Sequence, residues 1–166
     1  PGTQHTRFQH SLGALYLMTE AVSTLRSKGV EITDDEADAV YAAILLHDVG
    51  HGPFSHTLEN CFFPNISHEE LTIKICELLN EEMDGALNST LDVLQDNHKK
   101  KFLREMVSGQ LDMDRLDFIR RDSFFSGVSE GNIGSARIIK MLNIKDNKLV
   151  ECVYLPTDKK QLRNAQ

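Results

Sequence analysis

Leu46-His47-Asp48-Val49-Gly50-His51-Gly52-Pro53-Phe54-Ser55-His56 sets an imidazole beside a carboxylate at the point where an apolar stretch gives way to glycine and proline. Just upstream, Thr33-Asp34-Asp35-Glu36 has the Ser/Thr-x-x-Glu spacing in which a hydroxyl and a glutamate cap the first turn of a helix reciprocally. Ala37, Val40, Ala43, Ile44 and Leu46 follow, so a helix should run from this cap and end at the His-Asp pair. Gly50, Gly52 and Pro53 interrupt it and leave His51 and His56 on a tight loop beside the helix end. Neighbouring side chains on a helix point about 100° apart, so His47 and Asp48 can reach one ion together only near a helix end, where the glycines place them.

Working outward, Phe8, Leu12, Leu15, Leu17, Met18, Val22 and Leu25 recur at helical spacing from Phe8 to Lys28, with Gly29 as the stop. Ser67-His68-Glu69-Glu70 is a second capping box and opens a helix through Leu71, Ile75, Leu78 and Leu79 that breaks at Asp84-Gly85. Shorter helices are expected from Leu87 to Leu94 and from Lys101 to Val107, the latter ended by Gly109, with Lys99-Lys100-Lys101 as a solvated surface. Another should cover Asp112 to Phe125, and a weaker one Ile133 to Leu142. Ile144 to Val150 alternates around Asp146-Asn147, the signature of a small hairpin, while residues 151–166 show no clear period and Pro156 opposes a helix there. The fold class is therefore all-α, a mainly helical core over residues 1–142 followed by a small C-terminal β-hairpin and tail over 143–166.

The chain has 166 residues, 40% hydrophobic and 26% charged, enough for one globular domain and far from disordered compositions. Its formal charge of −7 means that affinity for phosphates must come from a local cluster or a bound cation, and it disfavours non-specific nucleic-acid binding. Three cysteines without CxxC spacing fit neither a zinc knuckle nor a disulfide framework, so a reducing, cytoplasmic compartment is expected. The first residues hold no initiator Met, basic leader or apolar signal core, and no apolar run approaches the roughly 20 residues of a membrane span. The sequence reads as an internal piece of a longer soluble protein.

The chemistry-bearing residues are spread widely: His10, the pair His47-Asp48, and the acidic cluster Asp112, Asp114 and Asp117. Mixed nitrogen and oxygen donors suit Mn, Fe, Co, Ni or Zn better than Ca. Taken alone, His47-Asp48 reads more readily as a chance dipeptide, but His51, His56 and His68 follow closely and the Gly-His-Gly-Pro loop has no packing purpose. Spacing does not separate Asp112 from Asp114 as a ligand. Arg7 lies one turn before His10 on the same face and is placed to grip a phosphate.

Four segments occur in a fixed order: Arg7-Phe8-Gln9-His10-Ser11-Leu12-Gly13, then Leu46 to His56, then His68-Glu69, then Asp112-Met113-Asp114-Arg115-Leu116-Asp117-Phe118 with Arg121-Asp122. Together they resemble the HD-domain phosphohydrolases, and among these the deoxynucleoside triphosphate triphosphohydrolases, which include the SAM-and-HD-domain dNTPase and bacterial dGTPase-like enzymes. The resemblance runs from Pro1 to about Leu142. It implies a helical HD fold, with His10, His47, Asp48 and Asp114 as metal ligands, Asp114 being preferred because the family's ligand is the second acid of its Asp-x-Asp.

It further implies that His51, His56 and His68 are catalytic, with Glu59 and Glu69 orienting such histidines and His56 as general acid. Arg7, Asp112, Arg115, Phe118 and Asp122 would contact substrate, although Asp112 reads equally as a cap; the family more often has Lys at the position of Arg115 and often Tyr at that of Phe118. The implied reaction is metal-dependent hydrolysis of a deoxynucleoside triphosphate to deoxynucleoside and inorganic triphosphate, with Mg joining through the substrate phosphates. No membrane partner is implied, and homo-oligomers are. The rival readings are an HD phosphodiesterase or nucleotidase acting on another phosphoester, and a non-catalytic nucleotide-binding module.

Overall fold

Three helices start on reciprocal caps. Thr6 accepts from the backbone of Gln9 while the Gln9 side chain accepts from Thr6, opening α1 (Arg7–Ser27). Thr33 and Glu36 open α2 (Asp34–Leu46), and Ser67 and Glu70 open α3 (His68–Glu82), in the same way. The two Ser/Thr-x-x-Glu boxes were expected; the Thr6-x-x-Gln9 box was not. The computed structural model describes residues 4–52, 66–129 and 134–151. His56 and Glu59 lie outside the described residues.

The remaining elements are α4 (Asn88–Leu94), α5 (Lys101–Val107), α6 (Met113–Ser126), α7 (Ser135–Met141), β1 (Leu142–Lys145) and β2 (Lys148–Glu151). The expected all-α class with a terminal hairpin is the observed one. The short connection after α5 is closed by Asp112, whose carboxylate accepts from the backbone N–H groups of Gly109 and Arg115 and so starts α6.

α1 packs on α2 and α6, and α2 packs on α4. Met18, Val22 and Leu25 of α1, Val40 and Ile44 of α2, Leu103 and Met106 of α5 and Met113 of α6 are almost wholly buried in one cluster. Each such side chain contributes about 1.5–3 kcal/mol from burial, which fixes α1, α2, α5 and α6 against one another. β1 and β2 pair antiparallel, Lys145 opposite Lys148, around Asp146 and Asn147 at φ 52° and 62°. Two successive left-handed residues give the turn whose twist matches a hairpin, and Asp-Asn tolerates it.

The hairpin is tied to the core. Leu142 is fully buried, and Lys28 Nζ donates to the carbonyls of Lys140 and Leu142 at 2.6 Å each. Lys100, expected on a solvated surface, instead donates to Glu36 at 2.7 Å and to the carbonyl of Glu31. Its long stem lets it reach the cap of α2, a contact that a charge run does not announce. No helix among the described residues is long and apolar enough to cross a membrane.

Candidate metal centre

The His-Asp pair sits where α2 ends, as its sequence requires. His47 is the C-cap residue of α2, and its Nδ1 lies 2.7 Å from the carbonyl of Ile44. A carbonyl only accepts, so Nδ1 carries the hydrogen and Nε2 is left with its lone pair in the neutral ring. That Nε2 is buried without a hydrogen-bond partner among the described residues, although Asp114 Oδ1 is 3.3 Å away and Asp48 Oδ1 3.4 Å away. A lone pair facing carboxylate oxygens needs a cation or a proton between them.

α1 and α6 supply the other donors. His10, 8% exposed, lies on the second turn of α1 with Nε2 2.9 Å from Asp114 Oδ1. Asp114 is in the first turn of α6, brought there by the Asp112 cap. One donor atom each from His10, His47 and Asp114 falls within 4.8 Å of the others, close enough to hold a metal ion. Two imidazole nitrogens and a carboxylate oxygen match the donor chemistry of a divalent transition metal. Asp48 borders this trio; its Oδ1 faces His47 and His51, 3.4 and 3.5 Å from their Nε2 atoms, and its Oδ2 accepts from Arg7 at 2.7 Å.

The charges respond to this crowding. Burial works against the His10 imidazolium, but the carboxylates of Asp114 and Asp117 outweigh it and push the ring pKa up to about 9. Burial likewise opposes, and Asp114 and Asp48 overcome it, in raising His47. For Asp114 burial would favour the neutral acid, yet the two histidines hold it well below the usual carboxylate range. These shifts arise because carboxylates face imidazoles at close range, the same complementarity that would draw a cation.

Beside the trio, His51 and His68 stack with ring centroids 3.9 Å apart, and His68 Nε2 is 4.0 Å from Glu69 Oε1. A latch holds the turn to α3: Thr72 Oγ1 accepts from Gly50 N at 3.0 Å and donates to the His47 carbonyl at 3.1 Å. Gly50 has to be glycine there, because a Cβ would strike the carbonyl of His68 and the backbone of Thr72.

Two hollows meet at Asp48, His51 and Asp114. One of about 450 Å³ is lined also by His5, Arg7, His10, Phe118 and Asp122; the other, about 350 Å³, by His47, His68, Glu69, Thr72 and Arg104 among others. A larger hollow of about 700 Å³ lies beyond Asp117, around Tyr16, Arg120 and Phe124, and contains none of the imidazoles. The chemistry belongs to the smaller pair. Of the residues expected from sequence, the structure brings together His10, His47, Asp48, Asp114, Arg7, His51, His68, Glu69, Phe118 and Asp122. Asp112 is buried as the cap of α6, and Arg115 is exposed and lines neither smaller hollow. Sequence reasoning placed Asp117 in the acidic cluster without a particular role and gave none to Arg121, Thr72 or His5; the structure sets all four around the site. The i+4 spacing of Asp117 and Arg121 on α6 was a signal for one of these pairings.

Fold and site define a helical domain built around a histidine-aspartate cluster able to hold a metal ion. The HD domain family model matches residues 7–122, and the chain belongs to that family. It is similar to the Bacillus subtilis protein YwfO, 32% identical over 156 residues, covering 90% of this chain and 36% of that protein. It is also similar to human deoxynucleoside triphosphate triphosphohydrolase SAMHD1, 30% identical over 194 residues and covering 92% of this chain and 31% of the enzyme. A crystal structure of a phosphohydrolase from Bacteroides thetaiotaomicron superposes with a TM-score of 0.88 at 61% identity, covering 91% of this chain and 38% of that one. The chain thus spans about a third of the length of these relatives.

Proposed function

We propose that this chain is the metal-binding core of a phosphohydrolase that cleaves deoxynucleoside triphosphates to deoxynucleoside and inorganic triphosphate. The observation that carries the metal reading is the buried, unpartnered Nε2 of His47, set with His10 Nε2 around one oxygen of Asp114. His10, His47, Asp48 and Asp114 would hold a divalent transition metal, Mn, Fe, Co, Ni or Zn, with Mg entering on the substrate phosphates. When bound, such an ion lowers the pKa of water and withdraws charge from a phosphoryl oxygen.

The chain's own residues do the rest. Arg7, which lines the hollow beside His10, offsets triphosphate charge that the net −7 of the chain would otherwise repel. The stacked His51 and His68, with Glu69 at the edge of the same hollow, face the reacting phosphate and orient the attacking water. Water oxygen bonds to the α-phosphorus and releases a proton to solvent, the bond from phosphorus to the 5′ oxygen breaks, and His56 gives that oxygen its proton. Phe118 and Asp122 line the hollow on the side where sugar and phosphates would lie. The deoxynucleoside triphosphate assignment draws on the matching segments and on the similarity to SAMHD1.

Purified full-length protein, loaded with Mn²⁺, should release inorganic triphosphate from deoxynucleoside triphosphates and little orthophosphate. His47→Ala and Asp114→Ala should lose bound metal and reduce turnover at least a hundredfold. Release of orthophosphate alone, or faster cleavage of cyclic nucleotides or monophosphates, would move the substrate to another phosphoester. Unchanged metal content in both variants would overturn the ligand assignment.

A further inference from the structure

His10 is held from behind as well as in front. Its Nδ1 lies 2.7 Å from Asp117 Oδ2, and the Asp117 side chain is 9% exposed. Arg121, one turn further along α6, grips the same carboxylate at two points, 2.9 Å from Nε and 3.0 Å from Nη2. A carboxylate only accepts and a guanidinium only donates, so the hydrogen between His10 and Asp117 belongs to Nδ1. The ring then has one orientation available, with Nε2 toward Asp114.

Gly13 makes this approach feasible. It lies one turn after His10 on α1, and a Cβ there would strike the Asp117 carboxylate and the Arg121 guanidinium. Stability gives little reason for such an arrangement. Drawing two charges out of water costs several kcal/mol per ion, and apolar residues of similar size commonly serve a fold at least as well. The cluster also contributes no lining to the hollow that holds His5, Arg7 and Phe118.

Building on the metal reading above, we infer that Gly13, Asp117 and Arg121 form a positioning unit that orients the His10 ring and sets the affinity of the site for its ion. Asp117 lines neither of the two hollows at the donor trio. It acts through His10, in the way that partners behind a ligating imidazole raise its basicity and restrict its rotation.

The test is calorimetric titration of the full-length protein with Mn²⁺ and with Co²⁺ alone, each variant first shown to be folded by circular dichroism. Asp117→Asn keeps the shape and should weaken binding roughly 10- to 100-fold. Gly13→Ala and Arg121→Gln should weaken it in the same direction. Because the effect passes through the His10 ring, adding Asp117→Asn to His10→Gln, which keeps a weaker oxygen donor for the ion, should change affinity less than twofold, a non-additivity that a merely structural role does not produce. Should Asp117→Asn not fold, Arg121→Lys, which keeps the charge and loses the fork, carries the same comparison with and without His10→Gln. Affinity within twofold of wild type in the single variant, or an equal loss in both backgrounds, overturns the inference while leaving the metal site in place. Failure of the wild-type protein to bind either metal overturns the ligand reading and this inference with it.

Discussion

At Nε2 of His10 a proton and a metal ion compete for one lone pair. With the ring pKa raised to about 9 in the metal-free fold, that nitrogen is protonated at neutral pH, and binding must release the proton. Apparent metal affinity should therefore rise about tenfold per pH unit from pH 7 to about 9 and then level off, as measured by competition with a chromogenic chelator; a flat profile would contradict this. The same shift has the opposite sign for the metal-free fold. A histidine raised above its ordinary 6.5 contributes stability that is fully present below that value and is lost as pH rises through about 9. Urea denaturation of metal-free protein should show a loss on the order of 1–3 kcal/mol between pH 6.5 and 10, and Asp114→Asn should flatten part of it, Asp117 holding the remainder.

Among the elements, the junction between the turn after α2 and α3 rests on one hydroxyl. Thr72 is 3% exposed and serves both Gly50 and His47. Thr72→Val preserves its shape but leaves two backbone groups unpaired, about 1–3 kcal/mol for each that stays buried; a lower melting temperature and weaker metal binding should appear together. Asp112→Ala should cost about 0.5–2 kcal/mol in denaturant unfolding through loss of the α6 cap, and Asp112→Ser should recover most of it. Caps and turns of this kind are local, which is why Thr33, Ser67 and the Asp146-Asn147 hairpin were legible in the sequence. Asp112 and Asp114 stayed interchangeable by spacing, and helix geometry separates them: the N-cap carboxylate turns back to the backbone, while the one in the first turn projects toward α1 and α2. Asp117 was legible only as a member of the acidic cluster, without its place behind His10, and Gly13 and Thr72 were not legible as site residues. Each acts across a contact between elements, α1 with α6 or the α2 turn with α3, that no window of sequence contains.

For the whole molecule, the core cluster and the site share a scaffold. α1 and α6 carry both buried apolar residues and two of the three clustered donors, so packing sets the spacing of those donors before any ion arrives. Preformed geometry of this kind predicts stabilisation by mass action: free Mn²⁺ at a hundred times its dissociation constant should add about 2.7 kcal/mol and raise the melting temperature, with no rise in Asp114→Ala. A melting temperature insensitive to metal in the wild-type protein would contradict a site shared with the core.

The donors come from near the start of the chain, from the turn after α2 and from α6, with long stretches between them. An ion at that point is a clasp across distant stretches of one polymer, and unlike a disulfide it is set by supply rather than by redox state. Metal starvation would then act first as accelerated degradation, since a chain whose clasp is open exposes α1 and α6 to proteases for a larger fraction of the time.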